Sequence, residues 1–259
     1  MQLEEKVHEN VYYYTDVIEN PQAIIDLINK LDGDDRVTKV IPKWNNWNSS
    51  SRDGNIFGKK KDFNLSEMDN LDPEVKADAD LIITTIRTAI KNIAEAFVKD
   101  RGLKGEPNVS PFVGISKYIE GCAMGAHFDR QAGDNSLEYS IIIYWNEDYE
   151  GGEISFIIRD EDIRLPQHSH LRPPDDALHP DTEKMVTFTK KPKAGSALIF
   201  PSTDPYKHQV HIMKSGDKYI TPGFIFVDGY KPGDPGGPSE EYMKAYHENL
   251  AADKAAQGM

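Results

Sequence analysis

The feature that most constrains the fold is a series of short β-type runs in the second half of the chain, separated by turn residues. The runs are rich in β-branched and aromatic side chains, and turns such as Asp148–Gly152 and Lys214–Asp217 lie between them. Many short strands with regular turns predict an antiparallel sandwich or jelly roll. The predicted strands cover residues 112–119, 138–145, 153–158, 185–189, 196–200, 208–213 and 218–227.

The amino-terminal part of the chain predicts one strand followed by two helices. The sequence VYYYT at residues 11–15 favours a strand, and the Asn20–Pro21 pair is typical of a helix start. A second start at Asp72–Pro73 begins a helix that is expected to run to about Val98. Apolar side chains of this second helix step by three or four residues, which predicts one face packed on the core: Ile82, Ile86, Ile90, Ile93 and Phe97.

These patterns predict an α+β protein in three segments. Residues 1–105 are expected to form a strand and helices that pack on the core, and residues 106–230 are expected to form the jelly roll itself. Residues 231–259 begin with a Gly/Pro-rich linker and predict a short helical tail. Residues 159–184 are rich in Pro, Asp and His, and they predict a long loop between two strands.

Charge and cysteine content exclude several classes of function. The chain has 30 Lys and Arg residues against 43 Asp and Glu, so its formal net charge of -13 predicts no broad surface for nucleic acid or anionic membrane. The densest basic run, Lys59–Lys61, is interpreted as a solvated loop. The single cysteine, Cys122, excludes an intrachain disulfide framework and favours a reducing compartment. The polar start of the chain and the absence of an apolar run of about 20 residues predict a cytoplasmic protein without a membrane span.

The triplet His127-Phe128-Asp129 is the first candidate functional feature. Residues i and i+2 of an extended strand point to the same side, so His127 and Asp129 can present an imidazole and a carboxylate to one point. His208 begins a later predicted strand and can supply a second imidazole. Two histidines and one carboxylate hold a ferrous ion on one face and leave the other face open.

Lys218 is the second candidate functional feature. It follows His208 by ten residues, across a turn that contains Gly216. A lysine inside such a strand pair is costly unless it meets an anion. An acidic co-substrate that chelates the metal and also meets Lys218 would explain why one hairpin carries both residues.

Five motifs occur in the second half of the chain in a fixed order. They are Tyr118-x-x-Gly121, His127-x-Asp129, YWNEDYEGGE at residues 144–153, Gly195-Ser-x-Leu-Ile-Phe-Pro201 and His208-x9-Lys218-Tyr219. Together they resemble the iron(II)- and 2-oxoglutarate-dependent oxygenases, and within that family they look most like the prolyl-4-hydroxylase branch. The resemblance covers roughly residues 110–228.

The resemblance implies a role for each matched residue. His127, Asp129 and His208 would bind Fe(II), Lys218 would pair with the distal carboxylate of 2-oxoglutarate, and the hydroxyl of Tyr118 would assist it. It also implies a double-stranded β-helix core and O2 as a second co-substrate, with ascorbate as a further candidate cofactor. The reaction would couple oxidation of 2-oxoglutarate to succinate and carbon dioxide with hydroxylation of a peptidyl residue, proline first. The expected partner is a peptide or protein substrate, and the oligomeric state stays open.

Three departures from the family pattern concern the substrate and leave the metal-binding residues unchanged. This chain has Met124 where prolyl hydroxylases usually carry a tyrosine, Leu137 near the place of an arginine, and Phe224 near that of a tryptophan. These positions line the substrate side in the family, so hydroxylation of a small molecule or of another amino-acid side chain stays open. A non-catalytic sensor of iron and 2-oxoglutarate also stays open. Oxidative demethylation of nucleic acid is disfavoured by the acidity of the chain and by Lys218 where those enzymes usually have arginine.

Several further residues have simpler interpretations. His211 lies near His208 and is interpreted as structural or as a neighbour of the ligands. The tryptophans Trp44 and Trp47 either line a substrate groove or anchor a polar loop to the core. The histidines of the 159–184 insertion are interpreted as solvated: His168, His170 and His179.

Overall fold

The computed structural model describes residues 1–40, 56–57, 60–64, 71–109, 114–129, 137–158, 186–203 and 206–227. Within these ranges the chain forms three helices: α1 (Pro21–Asp32), α2 (Asp35–Val40) and α3 (Pro73–Arg101). Strands of the first half are β1 (Gln2–His8), β2 (Val11–Thr15), β3 (Ile56–Phe57), β4 (Lys60–Asn64), β5 (Pro107–Val109), β6 (Gly114–Tyr118) and β7 (Ala123–His127). Strands of the second half are β8 (Leu137–Tyr144), β9 (Glu150–Gly151), β10 (Ile154–Ile157), β11 (Phe188–Lys190), β12 (Ser196–Pro201), β13 (Lys207–Val210), β14 (Met213–Ser215) and β15 (Lys218–Val227).

Some sequence predictions concern residues outside these ranges. Trp44 and Trp47, the 159–184 insertion with its three histidines, and the 231–259 tail are not among the described residues. In the part of the chain that is described, no helix is both long and apolar enough to cross a membrane.

Helix α3 confirms the predicted helix and extends it to Arg101. Asp72 caps its first turn by accepting a hydrogen bond from the Glu74 N–H at 3.0 Å. Gly102, just beyond the last turn, has a φ of 68°. This left-handed conformation suits glycine and lets the chain bond back to carbonyl groups of the helix. The predicted apolar face is buried throughout: Ile82, Ile86, Ile90, Ile93 and Phe97.

Two antiparallel sheets form the β part of the fold. In the described residues the larger sheet has eight strands in the order β1-β2-β12-β8-β15-β6-β4, with β5 also paired to β15. The smaller sheet has five strands in the order β11-β10-β13-β7-β3, and β9 pairs separately with β14. The predicted strand at residues 11–15 is confirmed as β2, and it pairs with β12 inside the larger sheet.

The side chains of β8 alternate between two cores. Tyr139 and Ile141 face helices α1 and α3 and belong to an apolar cluster that we call the helix-side core. Ile142 and Tyr144 face the smaller sheet and meet Phe156 of β10 in a second cluster, the inter-sheet core. Two antiparallel sheets packed face to face, with few helices, form a jelly-roll-like core.

The predicted strand at residues 208–213 is confirmed for residues 208–210 only, because the chain leaves the smaller sheet after Val210. Strand β13 ends at Val210 and β14 begins at Met213. Gly151 approaches the intervening residues so closely that a Cβ there would overlap the carbonyl oxygen of Ile212. Gly152 then donates its N–H to the same carbonyl at 3.3 Å, so β14 pairs with β9 instead of continuing in the smaller sheet.

Several short elements were not predicted from the sequence, among them β1, β7 and α2. Strand β1 is polar and exposed along most of its length, so no apolar alternation marks it, and pairing with β2 holds it. Strand β7 is rich in small residues and is held by β13 on one side and β3 on the other. Helix α2 has six residues and one buried side chain, Val37. Tertiary pairing, rather than local preference, produces the two strands.

Candidate metal centre

His127, Asp129 and His208 come together at one end of the smaller sheet. His127 ends β7, and His208 of β13 is its direct partner in the antiparallel ladder. Cross-strand partners place their side chains on the same face, and the two imidazole centroids lie 4.4 Å apart. Asp129 follows two residues later, so that one ligand atom from each residue lies within 4.8 Å of the others.

Hydrogen bonds orient both imidazoles. The Nδ1 atom of His127 lies 2.8 Å from the carbonyl oxygen of Gly125, and Nδ1 of His208 lies 3.2 Å from that of Tyr206. A carbonyl oxygen can only accept, so each Nδ1 carries a proton and donates it, and each Nε2 is directed away from that carbonyl. This is the arrangement found in metal-binding histidines, whose other nitrogen donates to a fixed acceptor.

The Asp129 carboxylate faces both Nε2 atoms. Its Oδ1 lies 3.3 Å from Nε2 of His127, and its Oδ2 lies 3.6 Å from Nε2 of His208. Burial lowers the pKa of His208 to about 4, against the attraction of Asp129, so this imidazole is neutral at pH 7. Burial opposes ionisation of Asp129, but the imidazoles of His208 and His127 and the hydroxyl of Ser140 hold its pKa well below the usual range. The unprotonated Nε2 of His208 and the carboxylate of Asp129 therefore face each other, and this arrangement suits a cation.

Two serine hydroxyls lie behind the carboxylate. Ser140 of β8 donates to Oδ2 of Asp129 at 2.5 Å, and its Oγ lies 2.8 Å from Oγ of Ser202. Both serines are buried. Ser140 was not identified from the sequence, because the contact joins β8 of the larger sheet to the residues that follow β7 of the smaller sheet.

Lys218 lies in the inter-sheet region, beside Tyr118. It is 1% exposed and is the direct ladder partner of Tyr118. Its Nζ donates to the carbonyl oxygen of Gly152 at 2.6 Å. Three tyrosine rings surround this Nζ, with centroids at 5.6, 5.4 and 5.8 Å: Tyr118, Tyr144 and Tyr149.

The charge of Lys218 has no carboxylate partner among the described residues. Salt bridges join other lysines of this part of the chain to acids, such as Lys117 to Asp217 at 2.7 Å, but none involves Lys218. Burial lowers the pKa of Lys218 to about 7, although Glu153 acts in the opposite direction. A buried ammonium of this kind is stabilised by an anionic ligand.

Tyr149 is a second residue that the sequence did not reveal as part of the site. Its hydroxyl is buried and has no hydrogen-bond partner in the described structure. The sequence Asp148–Gly152 was interpreted only as a turn. The turn also has a packing function, because a Cβ at Gly152 would overlap Met213 and lie 3.2 Å from Cδ of Lys218.

The remaining sequence candidates lie around this centre. Met124 is the ladder partner of Val210, and Leu137 begins β8 opposite the end of β15. Phe224 of β15 is the direct partner of Ser140. His211 places its Nε2 2.6 Å from Oγ of Ser155, and it is not part of the metal-binding group formed by the described residues.

Comparison with known proteins identifies related families and folds. Residues 113–226 match the family described as the 2OG-Fe(II) oxygenase superfamily. The structure is similar to a Pseudomonas putida prolyl-4-hydroxylase, with a TM-score of 0.50, 15% identity, and coverage of 85% of this chain and 94% of that chain. It is also similar to the viral collagen prolyl hydroxylase of Paramecium Bursaria Chlorella virus-1, with a TM-score of 0.48, 15% identity, and coverage of 84% and 96%. No curated protein sequence matches the chain.

The family match extends from β6 to β15 and contains all three candidate ligands together with Lys218. This family implies Fe(II) as the metal and 2-oxoglutarate and O2 as co-substrates. Two histidines and one carboxylate suit a ferrous ion, so the residues present fit that metal. Residues 113–226 therefore match the 2OG-Fe(II) oxygenase superfamily, and the fold is similar to that of a prolyl-4-hydroxylase.

Proposed function

We propose that this protein is an Fe(II)- and 2-oxoglutarate-dependent dioxygenase that hydroxylates a peptidyl residue, with proline as the first candidate. The observation that carries the proposal is a three-donor group, together with a buried lysine that has no carboxylate partner among the described residues. When bound, the metal activates O2 and couples oxidation of 2-oxoglutarate to succinate and carbon dioxide with insertion of one oxygen atom into the substrate.

In this proposal His127, Asp129 and His208 hold the iron. Nδ1 of each imidazole already donates to a backbone carbonyl, so the ring proton that a metal-bound histidine keeps is in place. Asp129 is ionised at neutral pH and supplies the negative charge. The three ligands occupy one side of the metal and leave the opposite side to the co-substrates.

Lys218 and Tyr118 hold the distal carboxylate of 2-oxoglutarate in this proposal. Strand β8 contacts both parts of the proposed site. Ser140 of this strand contacts the metal ligand Asp129, and the ring of Tyr144 lies beside Lys218. The two positions are four residues apart on the same face, about 14 Å along the strand. A short dicarboxylate that chelates the metal fits between them once the reach of the side chains is subtracted.

The unpaired hydroxyl of Tyr149 supports an anionic ligand beside Lys218. Burial raises the pKa of Tyr149 above the normal range, and nearby carboxylates, Glu153 first, raise it further. The hydroxyl is therefore a donor at all physiological pH values. A buried donor without an acceptor costs about 1–3 kcal/mol, and a ligand carboxylate would remove that cost.

The peptide substrate is supported by the motifs that resemble prolyl hydroxylases. Met124 and Phe224 differ from that pattern, and both lie beside strands that carry site residues. We therefore infer that recognition differs in detail from other prolyl hydroxylases. Succinate release stimulated by proline-rich peptides, and by neither free amino acids nor methylated oligonucleotides, would support this substrate class. Stimulation by a small molecule alone would favour the alternative of a small-molecule hydroxylase.

Charge-transfer absorption tests the metal and co-substrate site directly. Fe(II) and 2-oxoglutarate are added to the protein without oxygen, and the visible metal-to-ligand band is recorded. We expect a band in the wild type and in His211→Ala, but none in His208→Ala. Absence of the band in the wild type, with the protein folded, would contradict the oxygenase function.

Three broader assignments also belong to this proposal. We infer that the two packed sheets form a double-stranded β-helix, which their antiparallel pairing supports. We infer the division into residues 1–105, 106–230 and 231–259 from the sequence pattern. A cytoplasmic location is supported by the single cysteine, Cys122, which is buried and forms no disulfide.

A further inference from the structure

Ser140 and Ser202 are buried hydroxyls in apolar surroundings. Ser140 lies between two aromatic ladder partners, Phe200 of β12 and Phe224 of β15. The serines are 2% and 1% exposed, so neither hydroxyl has water as an alternative partner. Buried hydroxyls in such surroundings are retained when they have hydrogen bonds, because an unpaired one is costly.

The direction of both hydrogen bonds follows from counting protons. The ionised Asp129 carboxylate can only accept, so Ser140 uses its one proton on Oδ2 at 2.5 Å. The 2.8 Å contact between the two Oγ atoms therefore needs the proton of Ser202. The result is a chain of two donors that runs from Ser202 through Ser140 to Asp129. Each bond polarises the next, which strengthens the donation to the carboxylate.

We propose that this serine pair fixes the carboxylate of Asp129 for metal binding, so that Ser140 is a positioning residue and Ser202 supports it. The inference rests on the proposed function, since it concerns the same three ligands. The torsion that turns a carboxylate about its last bond is soft. With Oδ2 held by Ser140, Oδ1 stays 3.3 Å from Nε2 of His127, and the ligand atoms remain grouped in the ligand-free protein.

The test measures Co(II) binding, without 2-oxoglutarate or oxygen, by titration of its visible absorption. Hydrogen bonds to metal ligands contribute roughly 10- to 100-fold in metal affinity, so Ser140→Ala should weaken Co(II) binding by about that factor. The bound spectrum should also change shape, because the carboxylate can rotate. Ser140→Thr keeps the hydroxyl and should restore both affinity and spectrum. Ser202→Ala should weaken binding less than Ser140→Ala does.

Ser155→Ala is the matched control. Ser155 is a fully buried serine of the smaller sheet, and its hydroxyl contacts Thr189 and His211 instead of a candidate ligand. Its removal should leave the Co(II) affinity at the wild-type value. Thermal unfolding of every variant separates lost binding from lost structure, and Ser202→Ala carries the test if Ser140→Ala does not fold.

The inference and the proposed function fail in different ways. Wild-type affinity for Co(II) in both Ser140→Ala and Ser202→Ala would overturn the inference and leave the oxygenase function intact. An equal loss in Ser155→Ala would also overturn it, because the effect would then be general. Tight Co(II) binding that depends on Ser140 and His208, without any binding of 2-oxoglutarate, would instead contradict the proposed function alone.

Discussion

The helix-side core and the inter-sheet core differ in whether their buried polar groups have hydrogen-bond or charge partners. Two tyrosine hydroxyls of the helix-side core have partners: Tyr14 donates to Asp100 and Tyr219 donates to Asn29, each at 2.8 Å. The inter-sheet region contains a lysine without a described carboxylate partner and a tyrosine hydroxyl without any described partner. Apolar burial and satisfied hydrogen bonds stabilise a fold, whereas unsatisfied polar groups destabilise it.

This difference indicates a division between stability and binding. The helix-side core is built for stability, with α3 covering the larger sheet over nearly its whole length. The inter-sheet region contains polar groups that lower the stability of the ligand-free protein. In the proposed function, a metal and an anionic ligand interact with these groups. Substitutions in the first core should change the free energy of unfolding and leave ligand affinity alone. Substitutions of the unsatisfied polar groups in the inter-sheet region, Lys218 and Tyr149, should do the reverse.

The largest effect on stability is expected for Phe97→Ala. Phe97 is fully buried, and its ring lies edge-on to Tyr12 and Tyr139, with centroids 5.2 and 4.7 Å away. Removing such a ring costs about 3–5 kcal/mol of unfolding free energy, measured by urea denaturation. The folded protein should bind Co(II) with unchanged affinity. A parallel loss of Co(II) affinity would show that the two cores are coupled. It would contradict the division between stability and binding.

Lys218→Met should show the opposite behaviour. The substitution removes a buried charge but keeps the length of the side chain, so the ligand-free protein should be as stable as the wild type or more stable. Removing one partner of a buried charge pair costs 2 kcal/mol or more, so the dissociation constant for 2-oxoglutarate should rise by about 30-fold or more. Calorimetry with Mn(II)-loaded protein measures it. Lys117→Met is the control, since Lys117 already has Asp217 as its partner and should not affect 2-oxoglutarate binding.

The two cores also differ in how well the sequence predicted them. Helical spacing identified the buried face of α3, because burial of one face leaves a periodic pattern in the chain. The inter-sheet candidates His127, Asp129, His208 and Lys218 came from short motifs whose chemistry is specific. Periodicity alone would not have selected any of them.

Contacts between residues far apart in the chain were not predicted from the sequence. Ser140 and Ser202 are 62 residues apart, and Lys218 and Gly152 are 66 apart. Such contacts depend on strand register, which shifts every side chain to the other face when it changes by one residue. The break between β13 and β14 was missed for the same reason, because it results from the approach of Gly151 in three dimensions. Local sequence gives no signal for these features.

The pH dependence of stability should reveal the charge of Lys218. Burial lowers its pKa to about 7 from an ordinary value of 10.5, partly opposed by Glu153 and Cys122. Between these two pH values the unfolded chain holds more protons than the native protein, so the unfolding free energy should rise with pH. The contribution is up to about 1.4 kcal/mol per pH unit. Urea denaturation of the ligand-free protein at pH 7, 8 and 9 measures the slope, which should be smaller in Lys218→Met. Equal slopes in the two proteins would mean that the lysine is not desolvated.

The smallest effect, and the sharpest test of the comparison, is expected for Tyr149→Phe. Because the hydroxyl has no hydrogen-bond partner among the described residues, its removal should leave stability unchanged or slightly raised. One lost hydrogen bond to a carboxylate should weaken 2-oxoglutarate binding by about 10-fold, since bonds to charged groups contribute about 1.5 kcal/mol or more. Tyr13→Phe is the control: the Tyr13 hydroxyl accepts from the Lys193 N–H at 2.9 Å, so its loss should lower stability by about 1 kcal/mol and leave 2-oxoglutarate affinity unchanged. If Tyr149→Phe instead loses stability and keeps its affinity for 2-oxoglutarate, the hydroxyl is structural and the inter-sheet region is not reserved for a ligand at that position.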